Sequence, residues 1–266
     1  MVSKLQAHQR HVGSRFSAAA SGYGELSPVQ DEVARKVLDL VPTDVVPTRV
    51  LDAGCGHGRL LKLARTRWPA AALTGVDVAA GMIDESRRAL TGDAALTLYT
   101  ADVAAWSHAP FDLVVSGSAL HWLRPFGPSL AHVLGLVRSG GHAAIGFMLE
   151  GTLTELHDAR RAVAPAKTPS GRLPATDDVE AALRAIPGIE ILRADVEAMV
   201  HELPDAATVL RVLHDTGVTG GDISRGAAPL TRNELRALTE HYARHHASPG
   251  GVRVSYVVGY YLLRRA

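Results

Sequence analysis

The sequence predicts an α/β fold: one doubly wound, seven-stranded, mostly parallel sheet with a helical cap. Three observations lead there. From Arg49 onward, short apolar runs alternate with helix-patterned segments, the signature of a parallel sheet with crossover helices. The run Val50-Leu51-Asp52-Ala53-Gly54-Cys55-Gly56-His57-Gly58-Arg59 reads as a glycine-rich turn that leaves a strand and opens a helix. A chain of 266 residues, 47% of them hydrophobic, is long enough to bury one sizeable core.

The elements follow in order. Ser27 to Val41 is predicted helical, because Val29, Val33, Val37 and Leu40 recur at helical spacing behind a Ser27-Pro28 start. Val50-Leu51 enters the first strand; Ala72 to Val76, Leu96 to Tyr99, Phe111 to Val115 and His142 to Met148 give the next four. Arg59 to Trp68, Gly81 to Leu90 and Pro128 to Val137 read as the intervening helices, the last closed by Arg138-Ser139-Gly140-Gly141 as a helix-ending turn. Helices are expected over Thr152 to Val163 and Thr176 to Ile186, then a strand near Ile189 to Met199 and a helix near Ala206 to His214. A glycine-rich loop runs from Gly217 to Ala228, and the next helix starts at Thr231 with Glu234 three residues on, a capping box. Arg253 to Leu263 is the final strand. On this reading residues 1–45 form an N-terminal helical lid, 46–148 the ligand-binding core, and 149–266 a helical substrate cap with the last two strands of the same sheet.

Twenty-eight basic and 27 acidic residues leave a formal net charge of +1, so no chain-wide field recruits nucleic acid or an anionic membrane. Cys55 is the single cysteine, and no intramolecular disulfide can form. The stretch from Met1 to Arg15 lacks the apolar run of a signal peptide, and no other stretch reads as a membrane span. A cytoplasmic protein is expected, a monomer or weak homo-oligomer.

Glycines at 54, 56 and 58 let the backbone bend tightly and approach a ligand closely. Dinucleotide-binding loops use G-x-G-x-x-G, whose third glycine comes one residue later and whose helix meets a pyrophosphate. The shorter loop here resembles the S-adenosylmethionine loop of the Rossmann-like class I methyltransferases. The resemblance implies S-adenosylmethionine as cofactor and S-adenosylhomocysteine as product. Asp77 ends the second strand 25 residues after Asp52, where an acid can accept both ribose hydroxyls, or serve as a helix N-cap. The resemblance assigns Asp102 to the adenine amino group, with a solvated turn aspartate as the alternative. Asp52 would orient the loop backbone and the methionine ammonium; its burial makes sense only if it is paired. Met82 and Val103 would sandwich adenine or simply fill core. Gly54, Gly56, Gly58, Val78 and Ser116 complete the expected cofactor contacts.

A second resemblance covers nearly the whole chain. Arg15-Phe16-Ser17-Ala18-Ala19-Ala20 with Tyr23 and Gln30, Ala119-Leu120-His121-Trp122, Gly151-Thr152-Leu153-Thr154-Glu155-Leu156, Leu230-Thr231-Arg232 with Leu235, and Gly251-Val252-Arg253-Val254-Ser255-Tyr256 run in one order. Together they resemble the malonyl-acyl-carrier-protein O-methyltransferases that begin biotin synthesis by capping the malonyl carboxylate. The chain departs from that family at Ser116 to Trp122, where asparagine-containing and glutamine-tryptophan versions are usual, and at Leu213 to Val218. The resemblance implies O-methylation of a free carboxylate on an acyl-carrier protein or a small-molecule acid. A natural-product methyltransferase, or a non-methylating protein retaining the cofactor fold, are the alternatives. Arg172 is the expected fork for the carboxylate. Tyr23 would close over the methyl donor as a lid residue or merely pack. His121, just after the fourth strand, could steer the carboxylate, act as base toward a hydroxyl acceptor, or be structural. No metal is expected.

Overall fold

The computed structural model describes residues 4–218 and 227–266; most of the predicted glycine-rich loop lies outside them. Helices α1 (Lys4–Leu26) and α2 (Pro28–Leu40) come first. The α2 period is the one expected, with Val29, Val33, Val37 and Leu40 all buried. Helix α1 extends far upstream of the predicted one. There follow β1 (Arg49–Ala53), α3 (Arg59–Arg67), β2 (Ala72–Asp77), α4 (Ala80–Ala89), β3 (Leu96–Thr100), β4 (Phe111–Gly117), a 3₁₀ turn (Leu120–Trp122), α5 (Phe126–Gly135) and β5 (Val137–Met148). The rest comprises α6 (Thr154–Val163), α7 (Thr176–Arg184), β6 (Ile189–Leu203), α8 (Ala206–Asp215), α9 (Arg232–His245), the two-residue β7 (Ala247–Ser248) and β8 (Gly251–Arg265). Helix α9 carries the expected capping box: Thr231 N–H donates to Glu234 Oε2 over 2.7 Å, and Glu234 N–H to Thr231 Oγ1 over 3.3 Å.

Seven strands run in the order β3-β2-β1-β4-β5-β8-β6, with β7 paired to β8 off this path. Strands β1 to β5 are mutually parallel, and β8 enters antiparallel between β5 and β6. The order reverses between β1 and β4, which is where an open α/β sheet leaves a crevice beyond its strand ends. Alternate residues feed opposite faces. Val50, Leu113, Val115, Val258 and Tyr260 pack toward α2 and α3, whereas Leu51, Val114, Tyr261 and Leu263 pack toward α5 and α7. No helix of the described residues is long and apolar enough to cross a membrane.

One local expectation fails. Arg138 to Gly141 does not end a helix but forms the irregular start of β5, where the register shifts between the Phe111–Val137 and Leu113–His142 pairs. The cause is long-range. Arg138 donates its Nε–H to Asp112, whose carboxylate also takes N–H groups from Thr48 and Arg49, and these donors hold Asp112 far below the usual carboxylate range.

Helix α1 lies on α4 at close range: a Cβ on Gly81 would sit 2.6 Å from the Ser17 carbonyl oxygen. Gly81→Ala gains about 1 kcal/mol of intrinsic helix propensity, yet should lower Tm, because backbone rather than a pliable side chain blocks the methyl and overpacking typically costs about 1–3 kcal/mol. Thermal unfolding by circular dichroism decides the sign; a raised Tm would mean that α1 does not seat as described.

Candidate active site

The crevice begins with the loop after β1. Gly54 and Cys55 N–H groups both donate to the Val76 carbonyl, at 2.8 and 3.1 Å, which bends the chain across the end of β2. Gly54 and Gly56 hold φ of +78° and +51°, a region that side chains disfavour. A Cβ on Gly54 would meet the Ala119 Cβ at 2.3 Å, so the bare turn is also what lets the post-β4 segment approach. Gly58 works differently: its position lets α3 pack against Ser86 of α4, and it lies outside the cavity lining.

Three acids stand at neighbouring strand ends, as the sequence suggested, and all line one cavity. Asp77 Oδ2 accepts Gly56 N–H over 2.9 Å and Oδ1 accepts Ala79 N–H over 2.8 Å. It is thus both the anchor of the glycine loop and an acid with lone pairs left over. Burial raises its pKa, opposed by those N–H groups. Asp52 was expected to hold the loop backbone, but that task falls to Asp77. The Asp52 carboxyl is fully buried with no partner on either oxygen among the described residues. Burial, and then the nearby Asp77, push its pKa well above the ordinary value. Asp102 accepts Ala104 N–H over 3.0 Å and the side-chain amide of Gln9. Val78, Met82 and Val103 complete the apolar lining.

Helix α1 roofs this cavity with His8, Gln9, Val12, Phe16 and Tyr23. The sequence reading found Tyr23 but neither Gln9 nor the residue that fixes the roof, Arg59. From the first turn of α3, Arg59 pairs with Asp31 at 2.5 Å and donates to the carbonyls of Ser27 and Gly24 and to Ser27 Oγ. The glycine loop is thereby tied to the α1–α2 corner. His57 fills the space between, 3.2 Å from the guanidinium and edge-on to the Tyr23 ring at 5.7 Å. The Tyr23 hydroxyl is pushed up to about 12, by burial first, and stays a phenol.

Beyond Tyr23 lies a second cavity. Phe16, Tyr23, Gln30, Ser118 and Trp122 border both, and His121, Met148, Leu153, His201, Leu213, Val254 and Tyr256 continue the second. Among its described lining residues there is no lysine or arginine. His121 is thus brought to this chamber, 3% exposed. Arg172 is not: its side chain is 71% exposed, 3.9 Å from Glu150, outside both linings. The neighbouring Leu173 is buried, while the arginine itself stays in solvent. Ser116 is likewise outside the linings, because its Oγ is used within the sheet, donating to the Ala53 carbonyl over 2.6 Å.

The family model described as a methyltransferase domain matches residues 50–141. The malonyl-[acyl-carrier protein] O-methyltransferase of Salmonella typhimurium is 31% identical over 235 residues, covering 88% of this chain and 89% of that protein. The protein of the same name from Geobacter sulfurreducens is 29% identical over 263 residues, covering 95% and 97%. Among solved structures, the Haemonchus contortus phosphoethanolamine N-methyltransferase 2 in complex with S-adenosyl-L-methionine superposes with a TM-score of 0.55 at 15% identity, over 88% of this chain and 52% of that one. That likeness concerns the fold, while the sequence relatives cover most of the chain: the chain belongs to the malonyl-[acyl-carrier protein] O-methyltransferase family of methyltransferases.

Proposed function

We propose that this protein transfers a methyl group from S-adenosylmethionine to the free carboxylate of malonyl-acyl-carrier protein. The observation that carries the reading is the pair of abutting cavities: a donor pocket ringed by strand-end acids, sharing an aromatic wall with a chamber without lysine or arginine among its described lining residues.

The donor pocket fits the nucleoside on its own evidence. A fully buried carboxyl with no partner, Asp52, is costly unless a cation or donor arrives to meet it. Asp52 would meet the ammonium, Asp77 the ribose hydroxyls and Asp102 the adenine amino group, with Met82 and Val103 against the base. Gly54 and Gly56 offer bare backbone to the ligand. When bound, S-adenosylmethionine supplies an electrophilic methyl on a sulfonium.

The chain's own part is placement and exclusion of water. A carboxylate is already ionised near pH 7, so no base is required. What the walls must provide is alignment of the attacking oxygen with the methyl, an effect that intramolecular models put at about 7–11 kcal/mol. The reaction also consumes opposite charges, and a chamber lined by Phe16, Trp122, Met148, Leu153 and Val254 solvates those charges poorly. Tyr23, neutral and at the border of both cavities, closes the wall between donor and acceptor. An acidic carrier protein would present the malonyl group at the mouth of this second chamber.

Three measurements test the reading. Mass spectrometry of malonyl-carrier protein after incubation with the protein and S-adenosylmethionine should show one added methylene; an unmodified acyl group refutes the proposed acceptor. Asp77→Ala should weaken S-adenosylmethionine binding by roughly 1–3 kcal/mol, the usual loss for charged hydrogen bonds; unchanged affinity in calorimetry removes Asp77 from the site. Asp52 sets a pH dependence. Its pKa is raised in the free protein, and a bound cation favours the ionised form, so binding should release a proton and affinity should rise with pH until free Asp52 is itself ionised. Calorimetry in two buffers of different ionisation heat reads that proton directly, and Asp52→Asn should abolish the difference.

A further inference from the structure

His121 is the group in the acceptor chamber whose proton is placed by the backbone. The ring sits on the 3₁₀ turn after β4, and Met148 N–H of β5 donates to its Nδ1 over 3.4 Å. A ring nitrogen that accepts a hydrogen bond carries no proton, so the neutral imidazole bears its hydrogen on Nε2. Among the described residues Nε2 makes no hydrogen bond to the protein, and the ring borders the chamber. Trp122 lies beside it at 5.3 Å and limits its rotation.

The surroundings keep the ring neutral. Burial, without any nearby countercharge, lowers its pKa to about 3. The other titratable groups on the chamber wall are Tyr23 and Glu25 from the α1 end, His201 and Glu202 from β6, and Tyr256 from β8. Both tyrosines are held protonated, up to about 12, chiefly by burial.

We propose that His121 orients the acceptor as a fixed, uncharged Nε2–H donor, holding one oxygen of the incoming carboxylate and leaving the other free to attack. This rests on the chamber being the carboxylate site. A guanidinium would grip both oxygens and draw charge from the nucleophile. A single neutral N–H aligns the group while leaving its charge on the attacking atom. The same geometry denies His121 the role of general base: its one lone pair accepts Met148 N–H, and the other ring nitrogen already carries a proton. A phenol or alcohol acceptor would therefore find no base in His121, whereas a carboxylate needs none.

The test uses the full chain with His121→Gln and His121→Leu. Glutamine places an amide N–H near the position of Nε2 without a titrating ring; leucine keeps bulk and removes the donor. His121→Gln should keep kcat/KM for malonyl-carrier protein within about threefold, with the pH profile unchanged. His121→Leu should raise the acceptor KM by about tenfold, the worth of one hydrogen bond to a charged group. Cofactor affinity by calorimetry should be wild-type in both, which also reports that they fold. Independently of turnover, ¹⁵N NMR of the wild-type ring should show the Nε2–H tautomer at pH 7. An Nδ1–H tautomer overturns the proposal, as do equal losses in the two variants or a wild-type limb near pH 6–7 that His121→Gln abolishes. Absence of any methyl ester with the wild type would instead overturn the carboxylate reading itself, and the role of His121 with it.

Discussion

The crevice beyond β1 and β2 depends on one carboxylate, Asp77, taking two backbone N–H groups. At the tip of β2 it receives Gly56 from the loop after β1 and Ala79 from the start of α4, so that two strand ends and a helix entry share a single acceptor. Hydrogen bonds to an ionised group typically contribute about 1.5–3 kcal/mol each, and here they act beside the Gly54 and Cys55 bonds to the Val76 carbonyl in holding the left-handed bend. Asp52, one strand over, is the opposite case. Among the described residues its carboxyl oxygens make no hydrogen bond, and it loses its hydration, the kind of local cost that persists at functional sites because binding recovers it.

How much of this was legible follows from how local each signal is. The glycine bend and Asp77 were readable because a strand, a turn and a helix start occupy consecutive residues, with the next strand end a strand–helix–strand length away; Asp102 came from the family resemblance. The sheet was readable for the same reason through β5. The irregular start of β5 was not, since Arg138-Ser139-Gly140-Gly141 carries the local marks of a helix stop and is overruled by Asp112, 26 residues away in sequence. Gln9 is 93 residues from Asp102, and nothing in α1 announces a partner there. Arg172 shows the converse error: a suitable residue type in a suitable segment, which the packing of its loop leaves in solvent. The second cavity draws on both ends of the chain, and its membership follows only from three-dimensional closure.

Arg59 explains how these separate parts become one site. It belongs by sequence to the cofactor loop but spends its donors on the α1–α2 corner, at Asp31, Ser27 and Gly24. A planar guanidinium can serve several acceptors at fixed angles, which lysine cannot. Burial and the adjacent guanidinium both lower the pKa of His57, which keeps a second cation from forming beside the first. The result is a rigid corner that sets Tyr23 against the crevice without using the Tyr23 hydroxyl, which remains available to face ligands.

Phe16 and Tyr23 are side chains of a single helix, and each forms part of the wall of both cavities. The two cavities accordingly lie behind one roof. Any displacement of α1 that opens the first also takes two residues out of the wall of the second, so on that side neither can change shape alone.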